Sequence, residues 1–185
     1  MSVETSLKPS LSAAGSTPAV SHAAMLPALA IAAIGVATIA GAWFFQLVLE
    51  VLPCELCLEQ RYAYYISIPL ALLTAIAARQ GAARPLLVGL FGLLALVALA
   101  NAGLGVYHAG VEWGFWQGPT ACTGPINDLG QAGSLLDRLS TVKVIRCDEV
   151  QWRFLGLSLA GYNVLISGLM ALLALWGIGR LKAVR

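Results

Sequence analysis

Four stretches of this chain are almost unbrokenly apolar, and the polar residues are gathered between them. The first runs from Met25 to about Leu49, interrupted only by Gln46. At 1.5 Å per residue a helix of that length crosses a hydrocarbon core of about 30 Å. The second, Tyr62 to Ala78, is near the lower limit for a span; Arg61 and Arg79 at its ends can reach the interfaces, and Pro69 predicts a kink. The third, Pro85 to about Tyr107, opens on a proline suited to a first helical turn. It carries Gly89, Gly92, Gly103 and Gly105, which are expected to let neighbouring helices approach closely. The fourth runs from Leu159 to about Ile178. No internal repeat is visible.

The remainder is polar. Met1 to about Ala24 is rich in Ser, Ala, Thr and Pro and has no apolar period, which predicts a disordered tail. It does not read as a secretory signal, because Glu4 and Lys8 offset one another and the apolar run starts late and is too long. The predicted organisation is a tail over 1–24, a transmembrane domain over 25–180 and a short basic tail over 181–185.

Composition agrees: the chain is 59% hydrophobic and 11% charged, with a mean hydropathy of +0.81. A soluble domain carries about a quarter of its residues as charges, so the solvent of this one is a lipid bilayer. The net charge is +2, and no basic cluster interleaved with aromatics marks a nucleic-acid partner.

Charge also sets orientation. Arg79 and Arg84 between the second and third runs, and Arg180, Lys182 and Arg185 after the fourth, have no acidic neighbours, which assigns both termini and that loop to the cytoplasm. The opposite side carries Glu50, Glu55 and Glu59 in a short turn, and a long segment from His108 to about Ser158. The fold class is therefore all-α membrane protein: a four-helix transmembrane bundle with a long periplasmic loop. Trp113, Phe115, Trp116, Trp152 and Phe154 are expected to anchor that loop at the interface, and Leu135 to Val144 to form a short amphipathic helix on the membrane.

All four cysteines lie on that outer side, where disulfides persist. Cys54 and Cys57 form a C-x-x-C pair at the start of the second helix, where the dipole favours a thiolate, and Arg61 falls one turn beyond Cys57 on the same face. Such a pair is a redox device, a structural bridge or half of a zinc site. Zinc is disfavoured, because Cys122 and Cys147 are far apart and His108 is the only histidine near them in sequence. Cys122 and Cys147 enclose a Gly- and Pro-containing stretch; taken alone they suit a loop staple, and in a long membrane-side loop they suit a mobile disulfide.

Three strings then carry a resemblance: Cys54 to Arg61; Tyr107-His108-Ala109-Gly110-Val111-Glu112 on through Trp116 and Pro119 to Cys122; and Cys147-Asp148-Glu149-Val150-Gln151-Trp152 followed by Phe154 to Ser158. Together they resemble the disulfide bond formation protein B family over everything but the N-terminal tail. The resemblance implies a bacterial inner-membrane oxidoreductase. In it Cys122 and Cys147 exchange with a periplasmic thioredoxin-fold thiol oxidant, Cys54 and Cys57 reoxidise that pair, and Cys57 faces ubiquinone or menaquinone. It implies resting bridges Cys54 to Cys57 and Cys122 to Cys147, with a transient bridge between the pairs. Arg61 would polarise a quinone oxygen, and His108 falls near a second quinone-pocket position. Gln60 stands where some members have an acidic residue, so no acidic role carries over. Glu112 and Trp152 fit packing or pocket-edge positions. The alternatives are an oxidase dedicated to one substrate, and a non-catalytic scaffold stapled by inert disulfides.

Overall fold

The computed structural model describes residues 18–119 and 146–183. Residues 1–17 of the tail expected over 1–24, Cys122 and the amphipathic helix expected at Leu135 to Val144 lie outside the described residues. Four long helices cross in sequence: α1 (Pro18–Leu47), α2 (Glu55–Arg79), α3 (Arg84–Glu112) and α4 (Leu159–Ala183). All four are long and apolar enough to span a bilayer. α1 packs chiefly on α2, and α3 chiefly on α4.

The helices are longer than the apolar runs that announced them. α1 starts at Pro18 rather than Met25, and Val20, Ala23 and Ala24 are buried against the bundle. α2 starts at Glu55, so the polar string through Arg61 is helical and Cys54 is its N-cap, in extended conformation. α3 runs on to Glu112, and α4 to Ala183 with Leu181 fully buried, so the basic tail begins as helix.

Many interior positions are alanines, around a few large buried side chains such as Phe91 and Leu87, while many leucines face outward. Ala28, Ala71, Ala78 and Ala174 are fully buried, whereas Leu73, Leu96 and Leu172 are well exposed. In lipid this is the expected order, since leucine gains nothing by leaving the hydrocarbon while small residues bring backbones close. Of the four glycines expected at contacts, only Gly105 is at one. A Cβ there would lie 2.9 Å from Val164 Cγ2, whereas Gly89, Gly92 and Gly103 face open space and serve no close approach.

Buried polar groups tie three helices together. Tyr64 of α2 donates to Asn163 Oδ1 at 2.6 Å, and Asn101 of α3 donates to the same oxygen at 3.3 Å and to Ser167 Oγ at 2.9 Å. Asn163 of α4 donates back to the Asn101 carbonyl at 3.3 Å, which makes it the hub. Replacing Asn163 with leucine is expected to lower stability by about 1–2 kcal/mol, since each interhelical hydrogen bond in lipid contributes roughly 0.6–1.7 kcal/mol. Thermal unfolding in detergent checks this.

A feature absent from the expectations precedes α4. Arg153–Phe154 and Leu157–Ser158 pair antiparallel through a tight turn at Leu155 and Gly156, which have φ of 49° and 83°. This is the turn geometry that follows strand twist. Ser158 then caps α4, its Oγ accepting the Gly161 N–H at 3.2 Å.

Candidate thiol redox site

The functional side chains gather at one end of the bundle, opposite Arg79, Arg84, Arg180 and Lys182. α1 ends at Leu47, and a short turn with Glu50 at φ 54° delivers Cys54 to the start of α2. Cys57 falls in the first turn of α2, where backbone N–H groups are unpaired by the helix. The Cys54 thiol donates to Cys57 Sγ across 3.2 Å. A disulfide measures about 2.05 Å. Cys54, Cys57 and Cys147 are unbridged here, and the Cys122 to Cys147 bridge implied at the outset involves a residue outside those described.

Cys147 packs with Leu104 against Cys54 and Leu56. It also meets the backbone N–H groups of Glu55 and Leu56 at the open helix end. The hydrogen bond to Cys57, followed by burial, pushes the Cys54 thiol up to about 12 from an ordinary 9.0. Burial is also the main reason the Cys147 thiol lies at about 11. In the reduced protein both should therefore alkylate slowly near neutral pH, with rates rising about tenfold per pH unit above it, because only the thiolate reacts. Iodoacetamide labelling followed by mass spectrometry checks this. The folded chain holds the Cys54 proton more tightly than the unfolded one. The associated stability is present below about pH 9 and is lost as pH rises towards 12.

Arg61 is fixed by α1. It donates to Gln46 Oε1 at 2.6 Å and to the Ala42 carbonyl at 3.5 Å, and its guanidinium lies 5.6 Å from the centre of the Trp43 ring. Cys57, Gln60 and Arg61 form one wall of a cavity of about 580 Å³, closed elsewhere by Phe45, Trp152 and Tyr162. Phe45 and Trp152 meet edge to face at 4.8 Å, and Trp152 stacks on Phe154, so the strand pair before α4 roofs the cavity.

His108 is not on that wall. It is 2% exposed, with Nε2 3.6 Å from Cys54 Sγ and Nδ1 3.4 Å from Gln60 Nε2. The reason is register: Asn101, Gly105 and His108 are all on the buried face of α3, which turns the ring toward the C-x-x-C rather than the cavity. Glu112, one turn on, reaches to 3.9 Å from His108 Nε2. Donor atoms of Cys54, Cys57 and His108 lie within 4.8 Å of one another.

Comparison with known proteins decides the family. The family model described as "Disulfide bond formation protein DsbB" matches residues 24–177. The chain belongs to the DsbB family. Curated DsbB relatives named "Disulfide bond formation protein B" include one from Azoarcus sp., 32% identical over 67% of this chain and 74% of its own length. Another, from Polaromonas sp., is 29% identical over 81% of this chain and 88% of its own. One from Albidiferax ferrireducens is 28% identical over 71% and 74%. No solved structure matches. Membership in the DsbB family, with four apolar spans, makes this a membrane protein of disulfide bond formation. Gln46, Tyr64 and Asn163 are cavity or network residues that the motifs of the DsbB resemblance do not include. The signal for Gln46 was present, as the amide that interrupts the first apolar run.

Proposed function

We propose that the protein reoxidises the dithiol of a periplasmic thioredoxin-fold oxidant and passes the two electrons to a membrane quinone, ubiquinone or menaquinone. What carries this is one arrangement: Cys147 rests on Cys54, Cys54 on Cys57, and Cys57 shares a cavity wall with Arg61. Sulfur thus runs from the outer loop to an apolar chamber inside the bundle. The chamber fits a quinone head, being walled mostly by apolar side chains with a fixed guanidinium at one edge. A bound quinone would supply a two-electron, two-proton acceptor. The chain's own residues do the rest. Cys122 and Cys147 exchange with the partner. Cys147 passes oxidising equivalents from Cys54 by thiol–disulfide exchange, and Cys57, at an open helix end beside Arg61, holds the sulfur that faces the chamber. Gln46 and Ala42 hold Arg61 so that its remaining N–H groups can bind a carbonyl oxygen.

The compartments follow from charge: both termini and the Arg79 to Arg84 loop in the cytoplasm of a bacterial cell with the protein in its inner membrane, the cysteines in the periplasm. A reporter fused after Arg185 should stay inactive if it matures only in the periplasm; an active fusion reverses the topology. The function is tested by mixing purified protein, a reduced thioredoxin-fold oxidant and quinone. Quinone absorbance should fall with partner oxidation, and no fall in absorbance removes the proposal.

A further inference from the structure

A buried carboxylate oxygen without a hydrogen-bond partner is costly, and Glu112 carries one. Its side chain is 6% exposed, Oε2 has no hydrogen-bond partner, and Oε1 points at His108 Nε2 from 3.9 Å. That nitrogen is also 3.6 Å from Cys54 Sγ. The cluster lies off the chamber wall, and the route of sulfur to chamber gives it no task. We propose that His108 is the proton acceptor for the Cys54 thiol, with Glu112 and Gln60 as positioning residues that balance and orient the imidazolium formed.

The chemistry requires such a group, given the dithiol oxidation proposed above, on which this inference rests. Joining the Cys54 and Cys57 sulfurs removes two electrons and two protons from the dithiol. The electrons leave with the quinone-class acceptor, and one proton leaves from Cys57. The other is on Cys54, whose sulfur must shed it to attack Cys57 Sγ. Cys54 is 3% exposed, so bulk water does not collect that proton, and His108 Nε2 is in reach of it. An imidazolium at that depth needs a counter-charge, and Glu112 supplies one from the next turn of α3.

Gln60 decides which nitrogen of the neutral ring is free. With its amide nitrogen toward Nδ1, as here, the ring hydrogen sits on Nε2 facing the sulfur, which suits a thiolate. With the amide turned over, its carbonyl accepts from Nδ1–H and Nε2 is open to take the thiol proton. Cys57 from α2, and Arg146 and Glu149 from the segment before α4, are the other titratable or charged groups lining the same small cleft.

The test uses thiol reactivity and needs no quinone. In the reduced full-length Cys57→Ser chain, with a chelator present, Cys54 alkylation by iodoacetamide is followed by mass spectrometry across about pH 6–8. Adding His108→Ala should slow Cys54 labelling at about pH 7 by on the order of tenfold to a hundredfold, and free imidazole should restore part of the rate. The near-isosteric Glu112→Gln should slow it in the same direction by less. Cys147 labelling, unchanged, reports an intact fold. If Cys147 labelling jumps in His108→Ala, the fold has opened and Glu112→Gln decides. Unaltered Cys54 labelling in Glu112→Gln, or in a folded His108→Ala chain, overturns the inference. Should the protein fail to reduce quinone yet show His108-dependent labelling, the proposed reaction falls and this proton transfer stands. Quinone reduction without that dependence gives the reverse.

Discussion

Cys57→Ser is expected to abolish quinone reduction, by a factor of about 10⁴ or more, as loss of a nucleophile that works in concert with its neighbours does elsewhere. A hydroxyl can neither be oxidised to a bridge with Cys54 nor be displaced from one. The Sγ of Cys57 is also the only cysteine sulfur among the described residues that lies on the chamber wall. The loss should have a covalent signature. Cys147 packs against Cys54, and with no Cys57 thiol to reclaim that sulfur, a bridge between Cys54 and Cys147 should accumulate. Peptide mapping without reductant would show it. Residual quinone reduction above about one hundredth of the parent rate would mean that electrons leave by a route not through Cys57.

Arg61→Leu should raise the apparent KM for quinone by roughly 10- to 100-fold, the equivalent of the 1.5–3 kcal/mol typical of a hydrogen bond to a charged group. The guanidinium is already held by Gln46 and the Ala42 carbonyl, so its direction costs nothing to organise when a carbonyl oxygen arrives. Arg61→Lys should fall between, because an ammonium cannot bind Gln46, Ala42 and a carbonyl in the same planar fork. Exchange between the partner and Cys147 should keep its rate in both variants, since Arg61 makes no contact with that cysteine. Steady-state kinetics against quinone concentration, with single-turnover exchange measured separately, would separate the two. An unchanged KM in Arg61→Leu would remove Arg61 from quinone binding.

The bundle was legible in the sequence because hydrocarbon tolerates so few polar groups that a span announces itself. Ends were less legible for the same reason. Glu55 to Arg61 is helical but polar, so the apolar run alone begins too late and only the C-x-x-C string placed the start of α2; Cys54 caps it without a side-chain hydrogen bond that a Ser or Asp would have signalled. The strand pair before α4 rests on a Leu-Gly turn, a weaker signal than Asn-Gly, in a segment just two residues wide on each side.

The site was legible in its residues and not in its sides. Cys54, Cys57 and Arg61 stand where the motif put them, since helical spacing fixes their mutual placement. His108, which falls near a second quinone-pocket position by resemblance, lies off the cavity wall here and faces Cys54. Asn101, Gly105, His108 and Glu112 follow one another at intervals of about a turn of helix, a stripe that names one face of α3. Their polar character pointed inward, but what lay inward depended on how α3 packs against the start of α2, which no single helix encodes.

The roof over the chamber also sets a distance. Trp152 is wedged on Phe45, and the Arg153–Phe154 strand begins at the next residue, so the chain is moored from there into α4. Roughly five residues join Cys147 to that mooring, and at about 3.3–3.6 Å each they make a leash of about 17 Å. Cys147 can therefore swing but not travel. If Cys147 exchanges with a partner dithiol as proposed, that dithiol has to come down to this end of the bundle to meet it.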